Sequence, residues 1–413
     1  MCNYLSLQNN GQEEELIVLC SRTTLSPENK DRISDLLTQS LDWDSIKNLA
    51  SRNGVLPLVS WNLLNNFAHL LSPEDNDELS LYLQKHTQNN LFSSLKLVEF
   101  VRTLEKAGIA VLPFKGVTLA KIAYDNLALR QFVDLDVLVK PKDFDKTVNF
   151  LIKSGYAPIG NPGGLTKRKS LFLRFKKDLG LVSPDGNVRI ELHWKLSGSH
   201  FALPFEIDQL WGRLETVDLG GAELKALPFY DLFVYLCLHG SRHRWEKFSW
   251  ICDLHELILV KENSGEKFDW EAVYHHAHKY GCEKVVELGL FLVQYFYDLK
   301  IDYPGYEDII NDETLHKIAQ RVQKNDFSKN VNSANIGDWY LYHLTLKERK
   351  TDRMKLHFYY IIWYLKLAFR PNTLDKQVFH LPPLFYPLYY ILRPFRLVIT
   401  RFMPNSKKKT SDR

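Results

Sequence analysis

The chain has 413 residues, 45% of them hydrophobic and 25% charged, with a net charge of +4. That is the balance of a folded protein of two or three domains with ample core, not of a disordered segment, and the charge is too small to point to a nucleic-acid partner. Five cysteines (Cys2, Cys20, Cys237, Cys252 and Cys282) form no Cys-x-x-Cys pair and read as reduced thiols of a cytoplasmic protein.

The opening MCNYLSLQNNGQEEEL lacks the basic and apolar regions of a signal peptide, and no apolar run reaches transmembrane length. Residues 27–108 carry helical periodicity, with LDWDSIKNLASRNG, a helix opened by Ser72-Pro73, and a stop at Gly108. The texture then changes. IAVLPF reads as a strand, KGVTLAKIAY as a helix opened by Gly116, VDLDVLV as a second strand, and KDFDKTVNFLIKSG as a helix ending at Gly155. LFLRFKKDLGLVS and NVRIELHWKL flank Pro184-Asp185-Gly186, a hairpin turn, and residues 214–227 read as two strands around Gly220-Gly221.

Helices return after Pro228 in FYDLFVYLCLHGSRHRW, FSWICDLHELILV, FDWEAVYHHAHKYG and KVVELGLFLVQYFYDL. Asn325 to Asp338 is polar and reads as loop; the tail after Pro404 reads as disordered. Basic residues cluster at Lys167-Arg168-Lys169 and Lys407-Lys408-Lys409. The segment LFYPLYYILRPFRLVITRF mixes aromatics with arginines. Packing against the helical region is the reading favoured over an interfacial membrane helix, because prolines interrupt it.

The residues of most chemical interest lie in RQFVDLDVLVK, Arg130 to Lys140. Strand alternation would project Asp134 and Asp136 to one side and Val133, Leu135 and Val137 to the other. Two like charges so placed need a positive partner, either Arg130 or a divalent metal, which hard carboxylate oxygens suit. In NVRIELHWKL, Arg189, Glu191 and His193 share a face, so Glu191 offers a third acid. A glycine turn at a helix start, preceded by Lys115, suits phosphates.

The run FKGVTLAKIAY, LRQFVDLDVLV, LIKSGY and VRIELHW resembles the nucleotidyltransferases of the DNA-polymerase-β-like superfamily. It is most similar to a little-characterised bacterial branch with a Lys-Gly turn. LDWDSIKNLASRNGVLPLV, LHGSRHRWEKFSWICDL and LYYILRPFRL resemble flanking parts of the same branch. The resemblance implies an α+β fold, with a small mixed sheet as nucleotidyltransferase core between N- and C-terminal helical regions. The expected division is 1–108, 109–227, 228–372 and 373–413.

It also implies an enzyme that moves a nucleoside monophosphate from an NTP to a hydroxyl or amine, using Mg²⁺ or Mn²⁺ held by Asp134, Asp136 and Glu191. Lys115, Gly116, Thr118 and Arg130 would bind the nucleotide, and His193, His239, Arg242, His243 and Trp245 would line the acceptor cleft. The superfamily usually has Gly-Ser at the turn, where this chain has Gly116-Val117. That departure motivates an alternative, a nucleotide- or partner-binding protein with little turnover. The acceptor is open; a small molecule, peptide or protein is favoured over long RNA. His239 and His243 lie four apart, as zinc ligands can, but HGSRH lacks the glutamate of HExxH. His275, His276 and His278 read as a solvated helix face.

Overall fold

The computed structural model describes residues 11–160, 177–197, 207–327 and 336–402. The two lysine-rich clusters, the first arm of the hairpin up to residue 176, and the tail after Pro404 lie outside these residues. Two compact units are formed, one ending before residue 336 and one beginning at Ile336. The expected boundary at 372/373 falls inside the second.

The first unit is α+β. Helices Gln12–Cys20, Pro27–Leu37, Trp43–Arg52 and Leu56–Asn66 lead into a long helix, Pro73–Lys106. Its start is fixed locally. The Ser72 hydroxyl accepts from the Asp75 N–H, and Pro73 fills the first turn, where no backbone donor is needed.

Among the described residues a five-stranded sheet follows: β1 (Val111–Pro113), β2 (Leu135–Val139), β3 (Ala157–Pro158), β4 (Asp178–Val182) and β5 (Arg189–His193), in the order β1-β2-β5-β4-β3. Only β2 and β5 run parallel; the other neighbours are antiparallel. The β4–β5 hairpin turns at Pro184-Asp185-Gly186 as expected, with Gly186 at φ +76° and the Ser183 N–H donating to Val188 O. A separate ribbon pairs β6 (Glu215–Asp218) with β7 (Glu223–Ala226).

The sheet has two faces of opposite chemistry. Val111, Val137, Val139, Ile190 and Leu192 join Leu97, Phe100 and Leu104 of the long helix in one core. Helix Phe144–Lys153 adds Phe144, whose ring meets Trp194 at 4.4 Å. Burying such side chains contributes roughly 1.5–3 kcal/mol each. Period-two alternation then sends Asp136, Leu138, Glu191 and His193 to the other face.

Three expectations need correction. β2 begins at Leu135, one residue after Asp134, and Val133 is 71% exposed instead of facing the core. The reason is that pairing with β5 starts only at Leu135, so nothing covers Val133. Asn325 to Phe327 complete helix Glu313–Phe327, and Ile336 to Asp338 open helix Ile336–Thr345. Helix ends carry polar residues and so read as loop; residues 328–335 lie outside the described set.

The third concerns Arg130, which does not pair with Asp134. Its Nε and Nη2 donate to Asp253 Oδ1 and Oδ2 at 2.8 and 2.9 Å, and Tyr124 O–H donates to the same carboxylate at 2.9 Å. Asp253 sits fully buried on helix Ser249–Asn263. The pair ties the sheet region to the following helices. Replacing Arg130 with Met should therefore cost about 3–5 kcal/mol, because a buried carboxylate is left uncompensated. Arg130→Met with Asp253→Leu should recover part of that loss in urea unfolding. Equal losses for the single and double variants would place the stabilisation elsewhere.

Candidate functional site

β1 ends at Pro113, and Phe114-Lys115-Gly116 turn the chain into helix Val117–Tyr124. Gly116 has φ +55°, and a Cβ there would stand 3.2 Å from the backbone oxygen of Asp134. Both the backbone angle and the close approach demand glycine. The turn is thereby pressed against the start of β2. Thr118 is buried, and its hydroxyl donates to Lys115 O at 2.9 Å, which holds the first helical turn closed.

This turn delivers Lys115 to Asp136. The ammonium lies 2.8 Å from Asp136 Oδ1, with the aspartate side chain 4% exposed. In the parallel β2–β5 register Asp136 sits beside Glu191, and Leu138 beside His193. His193 Nε2 is 3.1 Å from Asp136 Oδ1 and 3.2 Å from Glu191 Oε2. The Phe114 ring packs edge-on against both His193, at 5.0 Å, and Tyr235, at 5.4 Å. Glu191, with 39% of its side chain exposed, is the acid that reaches solvent. The side chain within reach of its carboxylate is His193, not Arg189.

Among the described residues, Asp136, Glu191 and His193 bring ligand atoms within 4.8 Å of one another. Asp134 lies beside this trio without belonging to it. The charges nevertheless couple. Burial raises the Asp134 pKa, and Asp136 and Glu191 raise it further. Burial would do the same to Asp136, but Lys115 and His193 more than offset it and hold that carboxyl well below its usual range. The His193 hydrogen bond lowers Glu191. Burial would lower Lys115; Asp136, Tyr235 and Asp134 reverse this and raise it above an ordinary lysine.

The expected cleft residues divide. His239 is half-buried on helix Phe229–Arg242, with Nδ1 lacking a hydrogen-bond partner. Burial, together with the positive charges of Lys115 and its neighbours, holds its pKa well down. His243 lies 5.0 Å away ring to ring and meets Arg242 Nη2 at 2.7 Å. Trp250 stacks edge-on to His239 at 5.0 Å. Trp245 does not line open space. It is fully buried on Gly240, where a Cβ would come within 2.4 Å of its ring. Among the described residues no three-ligand metal group forms around His239 and His243.

Sequence reasoning missed Tyr235 and the Lys177–Asp178 ion pair. Tyr235 is buried one helical turn before His239 and feels the charges of Lys115 and Asp136. Asp178 is the cross-strand partner of His193. Counting pairs back from the turn at residues 184–186 would have found it.

Two carboxylates and an imidazole, with Asp136 kept ionised, suit a divalent cation. The Lys115–Asp136 contact also links stability to pH. The lowered Asp136 contributes stability that is present above the ordinary aspartate pKa and lost as pH falls through the folded value. The raised Lys115 contributes below the ordinary lysine pKa and loses that contribution as pH rises through its folded value. Both are present across roughly pH 5–9. Lys115→Met should lower the urea midpoint throughout that window, by about 3 kcal/mol equivalent, with the deficit shrinking in stronger acid. A deficit unchanged to pH 2 would show that the ion pair is not its source.

No curated protein matches the chain. A family model described as an uncharacterised nucleotidyltransferase matches residues 39–298, which include the whole sheet, the glycine turn and the Phe229–Arg242 and Ser249–Asn263 helices. With more than half of its length matched around this carboxylate-bearing sheet, the chain belongs to that nucleotidyltransferase family.

Proposed function

We propose that the protein transfers a nucleoside monophosphate from a nucleoside triphosphate to a hydroxyl or amine acceptor, in a reaction dependent on Mg²⁺ or Mn²⁺. The observation that carries this is the pairing of Asp136 with Glu191 across β2 and β5, directly beside the Lys115-Gly116 turn. Asp136 and Glu191 would hold the cation with Asp134 or His193 completing its shell. When bound, it supplies charge neutralisation to the triphosphate and to the leaving pyrophosphate.

The chain's own groups do the rest. The start of helix Val117–Tyr124 and the Lys115 ammonium attract phosphate oxygens. Thr118 and Arg130, whose hydrogen bonds go to Lys115 O and Asp253, would support the nucleotide site by holding its walls. The acceptor oxygen or nitrogen bonds to the α-phosphorus, and the bond to the bridging oxygen of pyrophosphate breaks. Pyrophosphate leaves with the electron pair. Glu191, the exposed acid of the set, takes the acceptor proton. His239, Arg242 and His243 would face the acceptor. The four described cysteines are buried and none is in a disulfide, which suits the cytoplasm.

A second reading has one observation in its favour. Lys115 and His193 already give Asp136 Oδ1 two nitrogen partners, so this carboxylate is compensated from within. That arrangement would also suit a nucleotide-binding protein with little turnover.

The test is to incubate the protein with each α-labelled triphosphate, Mg²⁺ or Mn²⁺ and fractionated small molecules and proteins, following pyrophosphate and labelled product. Asp136→Ala should abolish transfer. Glu191→Gln should leave nucleotide binding within a few-fold but slow single-turnover transfer by about 10²-fold or more, as loss of a general base does. Wild-type transfer in either variant overturns the mechanism; tight nucleotide binding with no labelled product selects the second reading.

A further inference from the structure

The second unit has its polarity inverted, with charged groups inside and apolar ones outside. In helix Tyr389–Phe402, Arg393 and Arg396 are buried, held by Asp375 through Nη1 to Oδ2 at 2.6 Å and Nε to Oδ1 at 2.5 Å. Asp375 is fully buried, its place fixed by a capping box with Asn372. Ile391, Phe395 and Val398 recur at four and three residues and are all exposed. Spacing of that kind makes one stripe. In a water-facing helix the assignment would be reversed, with arginines outside and the stripe within.

Helix Lys350–Phe369 packs against this one and repeats the pattern. Leu356 and Tyr360 are buried. On the opposite side Met354, Phe358, Ile361 and Leu365, again four, three and four apart, stand open, Phe358 at 65%. Between the two helices, Leu384 is 83% exposed and Phe385 and Leu388 are exposed beside it. Of the exposed large hydrophobic side chains among the described residues, two thirds lie beyond Ile336. A surface so apolar is not that of a unit meeting water alone.

Charge identifies the occupant. Residues 336–413 hold fifteen Lys and Arg against five Asp and Glu, a net of +10 in a chain whose total is +4. Such a charge repels a second copy of the same unit and attracts an anionic surface. Among the described residues no helix is long and apolar enough to cross a bilayer. Short apolar stripes with Tyr and Trp, flanked by Lys and Arg, match the headgroup–acyl boundary, where aromatic rings and long basic side chains satisfy both media.

We infer that the unit beginning at Ile336 is a peripheral membrane anchor, seating the apolar stripes of its two longest helices on an anionic phospholipid surface. The nucleotidyltransferase region, whose family match ends at residue 298, would then work at a membrane. Neither Asp136 nor Glu191 enters this inference, so it stands or falls separately from the proposed transfer.

The full chain should sediment with sucrose-loaded vesicles containing phosphatidylglycerol, at least ten-fold more than with phosphatidylcholine vesicles, and less as salt is raised. Phe358→Asp, Ile361→Asp and Phe395→Asp together should remove at least ten-fold of that binding while leaving nucleotide affinity unchanged. Lys350→Gln with Arg370→Gln, two exposed basic positions, should weaken it several-fold without touching the apolar stripes. This second variant keeps the test valid if the first misfolds. Three results overturn the inference. One is absence of vesicle binding by the wild type, as expected if the stripes are covered by residues 1–335. Another is a dimer in sedimentation velocity that the aspartate substitutions abolish. The last is vesicle binding that the charge variant leaves intact and salt does not weaken.

Discussion

A single buried negative charge organises the centre of the first unit. Asp136 lies in the second position of β2, on a strand whose five residues are all buried. An isolated carboxylate there would cost several kcal/mol, or would take up a proton. The fold prevents both by bringing two nitrogens to one oxygen. Lys115 comes from the turn after β1 and His193 from the strand beside. To deliver Lys115, the chain must turn tightly after β1, and that turn is possible only with glycine at residue 116. To deliver His193, β5 must lie parallel to β2 in one register, which also sets Glu191 beside Asp136. The metal-compatible trio follows from how the charge is compensated.

The same solution recurs at a structural level among the described residues, in the Arg213–Asp231 and Arg32–Glu15 pairs and at two further aspartates. Asp253 is buried under Arg130 and Tyr124, and Asp375 under Arg393 and Arg396. Arg130 holds Asp253 with two nitrogens of one planar guanidinium, and Asp375 takes one nitrogen from each of its two arginines. They differ from Asp136 in their counter-ions. An ammonium and an imidazole are compact: the ammonium can exchange its carboxylate for a phosphate, and a neutral imidazole nitrogen can take a cation. A bidentate guanidinium holds its carboxylate at two points and leaves less room for exchange. Buried acid with arginine therefore reads here as architecture, and buried acid with lysine and histidine as a site.

That distinction marks how far the sequence could be read. Local signals sufficed for the glycine turn, the hairpin at residues 184–186 and the sharing of a face by Glu191 and His193, because each depends on residues close in the chain. The parity of Asp134 with Asp136 was legible too, yet the strand begins after Asp134, since pairing with a distant strand decides where a strand starts. Sequence proximity pairs Arg130 with Asp134 or leaves it to a phosphate. Its true partner is 123 residues away on a helix whose periodicity says nothing about which sheet it will meet. Trp245 was placed in the cleft on resemblance to a motif, whereas Gly240 makes a slot that its ring fills. Tyr235 was overlooked because an apolar run such as FYDLFVYLCL gives no hint which aromatic turns toward the charges.

The C-terminal helices carry the same argument to the surface. In LFYPLYYILRPFRLVITRF the interrupting prolines favour packing against the helical region, and helix Tyr389–Phe402 does pack on helix Lys350–Phe369. Asp375 decides which of its faces is turned inward. Once Arg393 and Arg396 are drawn inward by a buried carboxylate, helical geometry leaves Ile391, Phe395 and Val398 no direction but outward. One acidic residue near the start of a seven-residue helix thus sets the polarity of the helix that follows. Replacing Asp375 would remove the reason for the arginines to stay inside, and the apolar stripe would compete for the interior they vacate. The exposed apolar stripe of helix Tyr389–Phe402 is therefore imposed by buried ion pairs, the same kind of constraint that places Lys115 on Asp136.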